Sequence, residues 1–214
     1  YISAPFKPDD VRKHVATQLE LKSLQDKNEN TEVQKITDAQ IKQIFSLAKS
    51  AQSKDDDSGK HLERTAKYCV ILAKELTKPV YKQSITPEFI KNIELAAPLH
   101  DIGKVGIDDE IVLKPDKLTD EEFEQMKQHT VIGYNMLKDV YEQFDGNNFI
   151  KMAMNIAKYH HERYDGLGYP DGLKKADIPL EARIMAVADV YDALRCQKSY
   201  HDSLSHEKSF EVIK

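Results

Sequence analysis

Apolar residues along most of this chain return every three or four positions, the spacing that gathers them on one face of a helix. A Thr37-Asp-Ala-Gln40 capping box precedes Ile41, Ile44, Phe45 and Ala48. A second stripe carries Leu62, Thr65, Ala66, Cys69, Ala73 and Leu76 and stops before Pro79. Thr86-Pro87 caps a third helix, whose Phe89, Ile90, Ile93, Ala96 and Ala97 lead towards His100. Thr119-Asp-Glu-Glu122 is another capping box, with Leu118 and Phe123 placed as a hydrophobic staple, and its helix runs through Met126, His129, Ile132, Gly133 and Leu137. Two further helices are predicted, Phe149 to His161 and Glu181 to Leu194.

Between those last two lies a loop rich in Gly, Pro and Asp, residues 162–180, too irregular for either regular structure. No segment alternates as a strand would, and no repeat is visible. The expectation is an all-α, bundle-like domain over 31–214, with side chains from several helices meeting in one core. Residues 1–30 differ: Tyr1-Ile-Ser-Ala-Pro-Phe6 resembles the end of a strand and its turn, and Val11, Val15, Leu19 and Leu24 follow on an amphipathic helix. Asp26-Lys-Asn-Glu-Asn30 then breaks the pattern. This reads as the tail of a preceding domain plus a connecting helix, with a plain N-terminal extension as the alternative.

Composition narrows the class. With 214 residues, 40% of them hydrophobic and 31% charged, the chain can bury a sizeable core as a soluble domain. A formal net charge of −5 argues against broad binding to DNA or RNA, though local cations can still hold a small anion. No apolar run is long enough to cross a membrane and no signal pattern opens the chain, so a cytoplasmic setting is expected. Cys69 lies on an apolar stripe and Cys196 stands far from it, which suits reduced thiols better than a disulfide.

The chemistry is concentrated in histidines. Of 8 in the chain, His100 adjoins Asp101 in His-Asp-Ile-Gly-Lys104, and His160-His161 runs into Glu162-Arg-Tyr-Asp-Gly-Leu-Gly-Tyr-Pro170. Neighbours on a helix end point roughly 100° apart, so such a pair can serve two ions, or one ion and a neighbour. His61, with Asp57 one turn before it, His129 and Asp189 complete the candidates. Five imidazoles with Asp101 and Asp189 favour Fe or Mn, with Ni and Zn left open. Asp101 is placed to bridge two ions, and such a pair suits hydrolysis of a phosphate ester.

Each residue has a blander reading. His129 alone would be an ordinary polar residue on a helix face, His160-His161 a surface doublet, and Lys104 a solvated cation rather than a phosphate ligand. Asp189 sits in an apolar Ala-Val-Ala-Asp-Val run, where burial without a partner is costly and a metal is a natural partner. The loop with Gly166, Gly168, Tyr169, Pro170, Asp171 and Gly172 could be a plain connection, but its length and glycine content fit a shaped wall beside a site.

His100-Asp101-Ile-Gly-Lys104, His160-His161-Glu162, Asp165-Gly-x-Gly-Tyr-Pro-x-Gly172, Ala182-Arg-Ile and Ala188-Asp-Val-Tyr-Asp-Ala-Leu194 together resemble the HD-GYP family of the HD phosphohydrolase superfamily, over roughly residues 37–214. The resemblance implies a helical phosphodiesterase that opens cyclic dinucleotides, above all cyclic di-GMP, to a linear dinucleotide or mononucleotides. The attacking group would be a hydroxide held between two divalent ions. It also implies metal ligands at His61, His100, Asp101, His129, His160, His161 and Asp189, and Lys104 at the position that assists the scissile phosphate. Gly168, Tyr169, Pro170, Arg183, Lys198 and His201 fall where substrate contacts are expected.

The chain departs from the family pattern in places. Asp57 stands where Glu is frequent as a ligand to a third ion, and its shorter reach favours two. Lys198-Ser-Tyr-His201 replaces the usual Arg-Pro-Tyr-Lys, and Lys lacks the bidentate fork of Arg. The family's usual final helical segment would lie beyond Lys214. The opening residues are similar to the last strand of a response-regulator receiver, with Ala4 in place of its lysine, which implies a sensor kinase upstream. A diguanylate cyclase docking on the Gly-Tyr-Pro loop is the other partner implied. Two functional alternatives remain open: a binding module that senses the dinucleotide without cleaving it, and an HD-type hydrolase acting on other nucleotides or alarmones.

Overall fold

The computed structural model describes residues 60–77, 81, 84–143, 147–196 and 203–214, with isolated positions 9, 13, 16, 17 and 46 ahead of them. The Thr37–Gln40 capping box and most of residues 1–30 lie outside the described residues. Among those described, every regular element is helical, in keeping with the all-α expectation.

Helix α1 spans His61–Glu75 and buries Leu62, Thr65, Ala66, Cys69 and Ala73, the stripe read from the sequence. Helix α2 spans Pro87–Ala96; Thr86 Oγ1 accepts from the Phe89 amide, and Pro87 occupies the first turn, where its missing N–H costs nothing. A tight turn, Ala97–Leu99, carries the chain to His100, and a second, Ile102–Gly106, follows Asp101. The short α3 covers Asp109–Val112.

Helix α4, Asp120–Gln143, opens with the expected capping box: the Glu122 amide donates to Thr119 Oγ1 at 3.3 Å, and the Thr119 amide donates to Glu122 Oε2 at 2.7 Å. The expected staple is arranged differently. Leu118 packs on Ile107, Ile111 and Val112, whereas Phe123 is exposed and meets the edge of the Tyr169 ring. Helix α5, Asn148–Tyr159, is capped by Asn147 Oδ1, which accepts from the Phe149 and Ile150 amides. Helix α6 spans Leu180–Arg195, and the short α7 spans His206–Ile213.

Helix α5 packs against α2, α4 and α6, and α1 packs against α2 and α6. Ile93, Ala97, Ile156, Ala157, Met185 and Ala188 are fully enclosed where these helices meet. Small residues there let the elements carrying the histidines approach closely. Cys69 is buried in this core and Cys196 is partly exposed, and the two do not pair with each other in a disulfide.

One close approach fixes the centre of the molecule. The turn after Asp101 lies directly on α4, so a Cβ built on Gly103 would overlap the carbonyl oxygen of His129 and sit 2.5 Å from the Gly133 amide nitrogen. No side chain fits between two backbones at that separation. Gly103→Ala is therefore expected to destabilise the fold by about 2 kcal/mol or more, since the backbone itself must shift. Gly133→Ala, whose Cβ would meet its neighbours at 3.2–3.4 Å, should cost clearly less. Thermal or denaturant unfolding of the two variants measures the difference; equal losses would contradict this packing.

Candidate metal centre

The Gly103 contact brings the His100-Asp101 turn against α4 at His129. Helix α5 ends beside it, with His160 as its C-cap and His161 following. His61 comes from the first residue of α1 and Asp189 from α6. His100, His129 and His160 are enclosed, and Asp101 is 6% exposed.

The ligand atoms fall into two groups. Asp101, His129, His160 and His161 each offer one atom to a set in which all lie within 4.8 Å of one another, and His61, His100 and Asp189 form a second such set. Asp101 faces both. Its Oδ1 is 3.3 Å from His129 Nε2 and 3.7 Å from His160 Nε2, while its Oδ2 is 3.3 Å from His100 Nε2. Lys104 Nζ, one short turn later, reaches the same Oδ2 at 2.9 Å.

The histidine tautomers follow from the other ring nitrogen. His100 Nδ1 lies 2.9 Å from the Ala97 carbonyl, His129 Nδ1 2.7 Å from that of Met126, and His160 Nδ1 3.0 Å from that of Ile156. His61 Nδ1 lies 2.7 Å from Asp192 Oδ2. Each Nδ1 therefore donates to an oxygen, so that the lone pair of a neutral ring lies on its Nε2.

Those lone pairs face each other, His61 against His100 at 3.5 Å and His129 against His160 at 3.4 Å. A cation between the nitrogens reconciles such pairs. The donor set thus fits two divalent ions with Asp101 shared between them, and imidazole mixed with carboxylate is a donor set for first-row transition metals.

For two of the rings, His129 and His161, the electrostatics favour the neutral form beside one anion. Burial would raise the Asp101 carboxyl, but Lys104 and His100 outweigh it and hold it well below the usual range. Burial lowers His129 to about 4 against the pull of Asp101. Burial, with His160 and His129 alongside, holds His161 well below an ordinary histidine. His100 goes the other way: burial works to lower it, but the adjoining Asp101 prevails and raises it.

The glycine-rich loop folds back over the end of α5. The buried Glu162 carboxylate accepts from the Asp171 amide at 2.8 Å and the Leu173 amide at 3.0 Å. Gly168 lies so close to the chain before it that a Cβ would collide with the Arg163 amide nitrogen. These contacts lay the Tyr169 ring on His161, centroids 4.7 Å apart and planes 27° from parallel. Burial, helped by the Asp101 charge, pushes the Tyr169 phenol up, so its hydroxyl remains a donor at neutral pH. Phe123 and Lys127 of α4 extend this wall, Lys127 Nζ standing 5.5 Å from the Tyr169 ring centre.

The sequence-predicted residues thus divide. His61, His100, Asp101, Lys104, His129, His160, His161 and Asp189 come together, with Gly168, Tyr169 and Pro170 beside them. Arg183 does not join them: its guanidinium lies 6.0 Å from the centre of the Tyr81 ring, with Nε buried and unpartnered. Asp57, Lys198 and His201 lie outside the described residues. Glu162 and Asp192 fall within the sequence motifs without a role assigned to them, and Arg64 lies outside those motifs. The signal for Asp192 was its place three residues after Asp189, on the same helix face.

The HD domain family matches this chain over residues 45–214. A probable cyclic di-GMP phosphodiesterase of Vibrio cholerae serotype O1 is 47% identical over 79% of the chain and 39% of its own length. The cyclic di-GMP phosphodiesterase response regulator RpfG of Xanthomonas campestris pv. campestris is 39% identical over 94% of the chain and 48% of its own length. A 3'3'-cGAMP-specific phosphodiesterase 2 of Vibrio cholerae is 36% identical over 79% of the chain and 30% of its own length. The chain spans less than half the length of these curated relatives.

The neutral, buried rings have a consequence for the metal-free chain. An unfolded histidine takes its proton near pH 6.5, whereas His129 resists until about 4 and His161 is likewise lowered. As pH falls through the window from about 6.5 to about 4, the unfolded state gains protons that the folded state refuses, so stability is lost. The raised His100 opposes this but is outnumbered. Denaturant unfolding at pH 7 and pH 5 should show a drop of roughly 2 kcal/mol. Equal or greater stability at pH 5 would contradict the assignment.

Proposed function

This chain belongs to the HD-domain family as an HD-GYP member, and from that premise we propose that it is a metal-dependent phosphodiesterase acting on a cyclic dinucleotide, cyclic di-GMP first. The observation that carries the reading is the Asp101 carboxylate, whose two oxygens face two separate histidine groups. His61, His100 and Asp189 would hold one ion, His129, His160 and His161 the other, and Asp101 both; Fe or Mn suits the mixed donors best, with Ni and Zn as rivals. When bound, the pair would supply an activated water and a polarised phosphodiester.

The chain's own residues do the rest. Lys104 holds an ammonium at the rim of the cluster, where it can turn from Asp101 to a phosphate oxygen and offset the charge that grows at phosphorus. Tyr169 offers a ring face and a hydroxyl on the loop side, and Gly168 and Pro170 hold it there. Lys198 and His201 would reach the distal part of the ligand. The enclosed walls limit water to the reacting face. The product would be the linear dinucleotide, or mononucleotides after a second cleavage. The related cGAMP-specific enzymes make the hybrid dinucleotide the competing substrate.

The match to a response regulator over 94% of the chain supports a receiver ahead of residue 31, and with it a sensor kinase. Tyr164 and Leu167 stand exposed on the glycine-rich loop and offer an apolar contact for a cyclase partner. No described helix is long and apolar enough to cross a membrane, and the cytoplasm, where such nucleotides are made and degraded, is the proposed setting.

Mn- or Fe-loaded protein incubated with cyclic di-GMP and with 3'3'-cGAMP tests the proposal. Linear product from at least one is expected, and Lys104→Ala should lower kcat by about 10²–10³ with metal content unchanged, as for loss of one charge-stabilising donor. Intact nucleotide after incubation with protein of confirmed metal content would refute it.

A further inference from the structure

The four buried or half-buried imidazoles with assigned tautomers are not oriented alike. His100, His129 and His160 donate from Nδ1 to main-chain carbonyls one turn earlier, which are fixed by the helical backbone itself. His61 donates to a side chain, Asp192 Oδ2, at 2.7 Å. Asp192 is fully buried, and a second group holds it in place: Arg64 Nε donates to Oδ1 at 2.6 Å and Arg64 Nη2 to Oδ2 at 2.9 Å. Arg64 lies one turn after His61 on α1, and Asp192 one turn after Asp189 on α6. Two helices thus exchange partners, Arg64 and His61 from one, Asp192 and Asp189 from the other. His61 is gripped on both nitrogens, Nδ1 by Asp192 and Nε2 facing Asp189 Oδ1 at 3.5 Å.

We infer that the Arg64–Asp192 pair is a positioning device for one ion only, and that it makes the two metal sites unequal: the His61–His100–Asp189 site depends on it, while the His129–His160–His161 site does not. The inference rests on the two-ion reading above. The Asp192 carboxylate can only accept, so it holds the His61 proton on Nδ1 and keeps the Nε2 lone pair available. Its negative charge also makes the imidazole a better donor to a cation. The bidentate Arg64 fork fixes the direction of that carboxylate, which a lysine point charge would not. The second site has backbone acceptors for both tautomer-assigned rings, and no substitution of Arg64 or Asp192 touches them. Its four ligands are also the more enclosed set, three of them buried, whereas His61 and Asp189 are partly exposed.

The test is a titration of the metal-free chain with Mn(II), followed by calorimetry and by elemental analysis after gel filtration. The original chain should take up two ions in distinguishable steps. Asp192→Asn supplies an amide that can donate to His61 Nδ1, moving the proton to Nε2. It should weaken one step by about 10–100-fold and leave the other unchanged. Arg64→Lys keeps the positive charge but loses the fork, and should weaken the same step to a smaller extent. If Asp192→Asn does not fold, Arg64→Lys carries the test alone. Equal weakening of both steps, or no weakening in a folded variant, would overturn the inference. Uptake of a single ion by the original chain would instead remove the two-ion reading beneath it, and does so before any variant is made.

Discussion

A carboxylate shut away from water needs partners for both of its oxygens, and Asp101 has groups close to each. Lys104 meets one oxygen at 2.9 Å, while imidazole nitrogens at 3.3–3.7 Å surround the rest. Neutral, those imidazoles present lone pairs there, because each keeps its proton on Nδ1 and donates it in a hydrogen bond to a main-chain carbonyl. Lys104 meets the charge of Asp101 but leaves the facing imidazole nitrogens to one another. In the proposed two-ion reading, divalent cations on either side of Asp101 would face those lone pairs, and burial would strengthen their hold.

The fold exists around that carboxylate in a literal sense. His100 and Asp101 sit on a break between two tight turns, which turns adjacent side chains in different directions. Gly103 removes the side chain that would keep this break away from α4. Helix α5 is apolar enough to run through the core and ends where its C-cap is an imidazole. The glycine-rich loop is then tied down by the Glu162 carboxylate, so that Tyr169 closes one side of the site. These contacts position groups, and the hydrophobic packing between helices supplies the stability.

Much of this could be read from the sequence because its signals are local. The stripe from Leu62 to Ala73 and the caps at Thr86 and Thr119 depend on residues within one turn, and the described helices follow them. The short helices Asp109–Val112 and His206–Ile213 carry too few periods to stand out. The histidines were conspicuous because adjacent pairs are rare in a chain with so few. What remained hidden depends on distant partners. Asp192 looks like any acidic residue near a helix end until α1 brings Arg64 and His61 against it. Phe123, expected to staple its own helix, meets Tyr169 from a loop far along the chain. Arg183, read by resemblance as a substrate contact, packs by Tyr81. Gly168 allows the loop to lie against its own backbone, a contact that its glycine content alone does not reveal.

Whether two cations share Asp101, as proposed, is measured most directly by electron paramagnetic resonance of the chain loaded with Mn(II). Two ions held about 3.5–4 Å apart by a common carboxylate should give an exchange-coupled spectrum, replaced by that of isolated Mn(II) when Asp101→Ala removes the bridge. An uncoupled spectrum from the original chain at full loading would contradict a shared carboxylate.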